Sequence, residues 1–276
     1  MFSGIGGFEK GIEDAGKDWE CVGYSEIDRY ASAIYKYHYP EHKNYGDCRT
    51  IDAVGLPDFD CIVGGFPCQS FSIAGKRGGF EDTRGTLFFE VARIARIKRP
   101  SYLFLENVKG LLSHDEGNTF ATIITTLDEL GYDCQWQVLD SRISELPQSR
   151  ERIYIICNFR RERRPKIFPY KETNQINNQL DGETVQRGKK FWNGTLRARP
   201  PRNFGAGDCA IYTASGIRWK TEIEYERLQG FSDDWTKLGI NTDGETINIP
   251  DSQRYKTCGN AVTTKVIRKI VEKWNL

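Results

Sequence analysis

The chain has 276 residues, 38% of them hydrophobic and 28% charged, the balance of an ordinary globular protein with room for one large domain and a small appendage. It contains no run of eighteen apolar residues, and its opening Met-Phe-Ser-Gly-Ile-Gly-Gly has no basic stretch leading into an apolar core, so neither a membrane-spanning helix nor a secretory leader is expected. The net charge of +1 conceals a split: residues 160–220 hold fourteen Lys/Arg against five Asp/Glu, a local +9 that leaves −8 for the rest. That basic segment is also rich in Asn and Gln, a combination suited to neutralising phosphates and reading base edges. The eight cysteines form no CxxC pair and have no histidine at zinc spacing, so no metal site is expected and a reducing, cytoplasmic setting fits.

In chain order, residues 1–158 read as alternating helices and strands. The glycine-rich loop 2–7 precedes a helix over 8–15; such a loop lets the backbone approach a nucleotide-like ligand closely. Its FxGxGG spacing is not the phosphate-cradling GxGxxG. A strand is expected over 20–25 and a helix over 29–37, stopped by Pro40. Residues 59–63 are an apolar run too short for a helix, hence a buried strand. A helix follows over 86–97, with Leu87, Val91, Ile94 and Ala95 at helical spacing. Then come a strand over 102–105, a helix over 119–130 closed by Gly131, and strands over 135–139 and 152–157. The alternation argues for a parallel or mostly parallel sheet covered by helices. The rhythm breaks at the charge run 160–165, and Pro200-Pro201, Gly205 and Gly207 mark loops. Regularity returns with a helix over 221–228, ended by Gly230, and a last helix over 262–274 whose apolar stripe signals core packing.

Several polar residues fall where those strands end. Cys68 follows Pro67 directly after the 59–63 run, so the thiol begins a rigid, non-helical turn at a strand's carboxyl end, where ligands collect in open α/β sheets. Glu26 closes the 20–25 strand, the expected place for an acid that holds ribose hydroxyls. Asp47, after Gly46 at the end of a further strand, could accept a hydrogen bond from an adenine amine. Glu106 follows the 102–105 strand, where burial would raise its pKa and suit it to donate a proton. Arg150 and Arg152 alternate along an extended segment, so their guanidiniums share one side. One can fork onto a carbonyl or phosphate oxygen while the other braces Glu106.

In order and spacing, FSGIGGF (2–8), SEID (25–28), GDC (46–48), GGFPCQSFS (64–72), GKRGGFEDTRGTLFFE (75–90), ENV (106–108), QSRER (148–152), EYERLQGF (224–231) and GNAV (259–262) resemble the bacterial and phage DNA (cytosine-5) methyltransferases of restriction–modification type. The resemblance covers nearly the whole chain. It implies an α/β, Rossmann-like S-adenosylmethionine-dependent methyltransferase with a mixed sheet and a small target-recognition domain. Residues 1–158 would form the catalytic and cofactor-binding domain and 159–220 the basic target-recognition domain. Residues 221–276 would return to the catalytic domain.

The same resemblance implies that Cys68 adds to carbon 6 of a flipped-out cytosine, with Glu106 on ring nitrogen 3 and the exocyclic amine. Arg152 would bind the carbonyl at carbon 2, and Arg150 would organise the pocket. Phe2, Gly4, Gly6, Glu26, Ile27, Asp47, Cys48, Pro67, Leu87, Asn260 and Ala261 would line the S-adenosylmethionine site, whose product is S-adenosylhomocysteine. Gln69, Ser72, Lys76 and Arg84, on a loop closing over DNA, and the Thr195-Leu196 pair would contact double-stranded DNA. A monomer is implied, sharing its cell with a cognate restriction endonuclease without a stable complex.

Three features depart from the family pattern. Met1 stands where a strand preceding the glycine loop should be ending, so a truncated first strand is expected. Glu222 and Ile223 replace a Pro and often an Arg before Leu228, and the recognition region is short, at about sixty residues. The rival readings are a tRNA cytosine-5 methyltransferase, whose usual Cys-Phe-Thr signature is missing, and a catalytically impaired DNA-binding relative.

Overall fold

The computed structural model describes residues 1–67, 87–162, 166–170, 196, 210–213 and 216–274. Cys68, Gln69, Ser72, Lys76, Arg84 and Thr195 therefore lie outside the described residues.

Tyr102-Leu103-Phe104-Leu105 is apolar at four successive positions, so a strand built from it must be covered on both faces. It forms β2 (Tyr102–Val108), inside a four-stranded sheet ordered β1 (Cys61–Gly65), β2, β4 (Glu151–Phe159), β3 (Tyr132–Asp140). β1 and β2 are parallel, whereas β4 is antiparallel to both β2 and β3. The sheet is thus mixed rather than mostly parallel. β3 returns directly into β4 through residues 141–150 without a crossover helix, and such a short return permits only antiparallel pairing.

Side-chain alternation assigns the two faces. Leu103, Leu105, Ile153, Ile155 and Cys157 point into one cluster with α3 (Leu87–Lys98) and Ile123 and Leu127 of α4 (Asn118–Glu129). Tyr102, Phe104, Tyr154 and Ile156 point the other way, against α1 (Gly7–Asp14) and α7 (Thr264–Glu272). Period two then places Glu106, Arg152 and Arg150 on the α1/α7 side, and Asn107 on the opposite side. A third cluster joins α2 (Arg29–His38), α5 (Glu222–Gln229), α6 (Asp251–Asn260) and Leu196.

Most expected elements form within a few residues of their predicted bounds. Helix α5 begins with a capping box, in which Thr221 accepts from the Glu224 amide and Glu224 reaches back to Thr221. Two pairs of strands, β5 (Ala210–Thr213) with β6 (Gly216–Trp219) and β7 (Leu238–Ile240) with β8 (Thr246–Asn248), were not anticipated, nor was α6. Cys134 and Cys157 face each other across β3 and β4 and are joined as a disulfide, a pairing their spacing does not reveal.

The expected strand over 20–25 is the clearest difference. The segment makes only one bridge, between Tyr24 and Asn44, so Asp47 follows no strand either. A cavity of about 840 Å³ lies between residues 20–25 and β1, lined by Met1, Tyr24, Cys61 and Val63 among others. Extended backbone with open space along one edge has no ladder to join. Met1 sits at the cavity's end, its ammonium donating to the Val63 carbonyl at 2.6 Å, while the Ser3 amide bonds to the Ser25 carbonyl. Burial pulls the ammonium pKa below its usual value.

The α1–α7 contact predicts a substitution with opposing effects. A Cβ at Gly11 would lie 2.6 Å from Ile267 Cβ and 2.7 Å from the Thr264 carbonyl oxygen. Alanine raises helix propensity by about 1 kcal/mol over glycine, but overpacking a fitted contact costs about 1–3 kcal/mol. Gly11→Ala should therefore lower the urea-unfolding free energy by up to about 2 kcal/mol, measured as a shift in midpoint at unchanged slope; a gain in stability would contradict this packing.

Candidate active site

Two groups of residues meet at the carboxyl ends of β1 and β2. In the parallel register Gly65 stands beside Glu106. A Cβ on Gly65 would come within 3.0 Å of Glu106 Oε2, so the glycine leaves the carboxyl its room. Glu106 is 8% exposed, and its Oε1 receives Arg152 Nε at 3.1 Å. Burial raises the Glu106 pKa, and the positive charges of Arg152 and Arg150 oppose that rise without cancelling it. A carboxyl so placed holds its proton to higher pH than an exposed one and can donate it to a ring nitrogen.

Arg150 has a different occupation. It is 4% exposed, and its guanidinium donates to the Ala261 carbonyl at 2.9 Å and to the Leu196 carbonyl at 3.5 Å. Burial, then the charge of Arg152, lowers its pKa to about 10, which still leaves it cationic at neutral pH. Of the two arginines, Arg152 is the one paired with Glu106.

Asn107 shapes the turn that leads to Cys68. Its Nδ2 donates to the Phe66 carbonyl at 2.8 Å, and its Oδ1 accepts the Val108 amide. The neighbour of Glu106 thus faces the other side of the strand and pins the last carbonyl before Pro67-Cys68. Asn107 lies in the ENV segment, and its place one residue after Glu106 is the sequence signal for this clamp.

The candidate cofactor residues gather around the first loop. Gly4 and Gly6 have φ of 57° and 84°, a region open to glycine. A Cβ at Gly6 would strike the Tyr39 ring at 2.7 Å, whereas one at Gly4 would meet nothing. Glu26 accepts the Gly4 amide on Oε2 at 2.8 Å and the Ile27 and Asp28 amides on Oε1. A carboxylate has about four acceptor directions, so three amides leave one for a hydroxyl. Ile27 beside it is 69% exposed, an apolar surface suited to a flat ring. Asp47 is held by Arg49, which lowers its carboxyl pKa to about 2 and keeps it an acceptor.

Cys48 is buried, and burial holds its thiol up at about 11, so it packs rather than reacts. Phe2 joins the same cluster as Cys48 and Phe66, bringing the glycine loop against the end of β1. Leu87 opens α3 in that cluster too. Asn260 ends α6 in solvent and Ala261 follows it, nearly buried. An acceptor for ribose, an exposed apolar platform and an open glycine loop fit an adenosine-containing cofactor. Leu196, expected at DNA, is 2% exposed and packed in the α2/α5/α6 cluster, so its side chain is an anchor.

A mixed, Rossmann-like sheet with a glycine loop and a buried acid–guanidinium pair at the ends of its strands has the layout of a cofactor-using α/β enzyme. The comparisons make the class specific. The profile of the C-5 cytosine-specific DNA methylase family matches residues 1–194 and 177–275. The chain is 38% identical over 299 residues to the type II methyltransferase M.NgoBI of Neisseria gonorrhoeae, across 97% of this chain and 89% of that one. It is 36% identical over 310 residues to M1.ScrFI of Lactococcus lactis subsp. cremoris, across 99% and 76%. The solved structure of the S. pombe Dnmt2 methyltransferase shares the fold with a TM-score of 0.75 at 18% identity, across 98% of this chain and 95% of that one. The chain belongs to the C-5 cytosine-specific DNA methylase family and is a DNA (cytosine-5) methyltransferase.

The charge balance around Glu106 is open to titration. Arg152 favours the carboxylate, so Arg152→Gln should move the Glu106 pKa further up and leave more of it protonated at any given pH. Carboxyl-band infrared spectroscopy, referenced to Glu106→Gln, reads this directly. An unchanged or lower pKa would show that Arg152 is not the group restraining it.

Proposed function

We propose that this enzyme methylates carbon 5 of a cytosine flipped out of a short, specific double-stranded DNA sequence, through a covalent bond to Cys68. The observation that carries the reading is the buried Glu106, paired with Arg152 and beside Gly65 at the end of β1, three residues before Cys68 in the sequence. A stacked cytosine is out of reach of such a pocket, so it must leave the duplex, at a cost of about a few kcal/mol.

The steps follow from the chemistry of the residues. The Cys68 thiolate adds to carbon 6 as protonated Glu106 gives its proton to ring nitrogen 3. The ring becomes an enamine with its nucleophilic position at carbon 5. Arg152 steadies the carbonyl at carbon 2 and, through Glu106, the orientation of the ring. Arg150 ties the pocket to Leu196 and Ala261. S-adenosylmethionine, when bound, supplies the methyl group and leaves as S-adenosylhomocysteine. A base then removes the carbon 5 proton, the bond to Cys68 breaks, and ring nitrogen 3 returns its proton to Glu106, restoring the neutral aromatic ring, the thiolate and the protonated acid. A free thiol is only a few per cent ionised at pH 7, so deprotonation of Cys68 must be coupled to its attack.

For the cofactor, Glu26 would take a ribose hydroxyl, Ile27 the adenine face and Asp47 its amine. Phe2, Gly4, Gly6, Cys48, Pro67, Leu87, Asn260 and Ala261 would complete the wall. Residues 159–220 would read the DNA, with Gln69, Ser72, Lys76, Arg84 and Thr195 at the strand itself. The catalytic domain would comprise residues 1–158 and 221–276. The enzyme would work as a cytoplasmic monomer beside a restriction endonuclease that it does not bind stably.

Fluorine at carbon 5 cannot leave as a proton does, so it arrests the last step. Long duplex DNA containing 5-fluorocytosine, incubated with enzyme and S-adenosylmethionine, should give a complex resistant to sodium dodecyl sulfate, and Cys68→Ala should give none. Methylation of ordinary DNA without any such complex would remove Cys68 as the nucleophile. Absence of both would overturn the proposed reaction.

A further inference from the structure

Two buried glutamines join parts of the chain that the proposed reaction keeps separate. Gln148 and Gln229 are both 0% exposed. Gln148 Oε1 accepts the Leu196 amide at 3.1 Å, and its Nε2 donates to the Leu228 carbonyl at 3.0 Å and to Gln229 Oε1 at 3.3 Å. Gln229 Nε2 donates to the carbonyls of Cys258 and Ala261 at 2.9 and 3.4 Å, while its Oε1 also accepts from Thr263 Oγ1. Backbone groups dictate these orientations. Carbonyls only accept and an amide N–H only donates, so neither side chain can be flipped without setting like against like.

The relay therefore has one satisfied arrangement, and it runs from Leu196, inside the basic 159–220 segment, to Ala261 at the cofactor wall. Arg150, two residues along from Gln148 and on the same side of the extended chain, spans the same gap from the Leu196 carbonyl to the Ala261 carbonyl. Both backbone polar groups of Leu196 are thus held by buried side chains that lead into β4, and its own side chain is buried as well. A surface segment needs no such anchorage for its own stability. Buried amides left without partners are costly, so the arrangement holds one register between the two parts of the chain.

We infer that Gln148 is a positioning residue that fixes the DNA-reading segment, at the Leu196 backbone, to the catalytic pocket. The inference rests on the proposed reading of residues 159–220 as the DNA-reading segment. Gln148 acts through Leu196 and touches neither base nor cofactor. Its loss should loosen the register of the recognition segment more than it slows chemistry on DNA already bound.

The test uses the full chain. Gln148→Met keeps the volume and removes the hydrogen bonds. It should raise KM for DNA roughly tenfold, the effect of one lost buried hydrogen bond. It should also narrow the preference for the cognate sequence over single-base-pair variants, with kcat at saturating DNA falling less than threefold and the S-adenosylmethionine Kd unmoved. Hydrogen exchange at the Leu196 amide should accelerate while amides of β2 and β4 stay protected.

Gln148→Glu supplies a conservative rescue and a second route if the methionine variant does not fold. Burial raises a carboxyl pKa, and the protonated acid can still accept from Leu196 and donate to the Leu228 carbonyl. Its KM for DNA should lie near wild type at low pH and rise as pH passes that raised pKa, with no matching change in the wild type. Equal fall of kcat with unchanged KM, a shifted cofactor Kd alone, or a Leu196 amide that exchanges as slowly as in wild type would each overturn the assignment. A wild-type chain that methylates no DNA would instead remove the reading on which it rests.

Discussion

Glu106 gives up most of its water at the end of β2 and receives one ion-pair partner in return. Burial of a carboxylate costs several kcal/mol unless charge and hydrogen bonds replace the lost solvent. Arg152 replaces part of it, so the proton is held more tightly than on an exposed acid. This imbalance sets what the surroundings must do. Gly65 has no side chain because the carboxyl occupies its space, and the parallel register of β1 and β2 puts the two side by side. Arg150 carries the same charge nearby but spends its hydrogen bonds on Ala261 and Leu196. One arginine thus tunes the acid while the other braces the pocket.

The fold delivers these groups through the period of its strands. In β2, Tyr102 and Phe104 pack against α1 and α7, so Glu106 emerges on that face and Asn107 on the other. One residue step separates a buried acid from a clamp on the Phe66 carbonyl. α1 also begins at the glycine loop, and the burial that holds it against α7 holds that loop beside the sheet. Phe2 and Phe66 share a cluster, so the glycine loop packs with the end of β1. β1 keeps an open edge facing the large cavity, with Met1 hydrogen-bonded at its end.

Much of this was legible in the residues themselves. The apolar run 102–105 could only be a strand buried on both faces, and the acid directly after it was necessarily at the strand's end. Helix α5 is legible from Gly230 that ends it, α4 from Gly131 that closes it, and α3 from the helical spacing of Leu87, Val91, Ile94 and Ala95. Order and spacing of the motifs named the family. The strand over 20–25 was misread because local composition cannot report whether a neighbour is present to pair with. The direction of β4 was missed for a related reason: helix–strand alternation suggests parallel pairing, and nothing local in residues 141–150 says that the chain turns straight back. The Gln148–Gln229 relay joins residues eighty-one apart and depends on backbone groups at 196, 228 and 261, so no pattern along the chain exposes it. Arg150 and Arg152 looked interchangeable by alternation, and only their partners separate their duties.

The family's reaction is modification of one ring position in one sequence context. Bisulfite sequencing of plasmid DNA treated with the enzyme and S-adenosylmethionine reads this outcome at every cytosine at once. The account predicts protected cytosines at a single fixed position within one short sequence, on duplex DNA. Protection scattered over cytosines without regard to sequence, or none on DNA that the enzyme demonstrably binds with its cofactor, would contradict it.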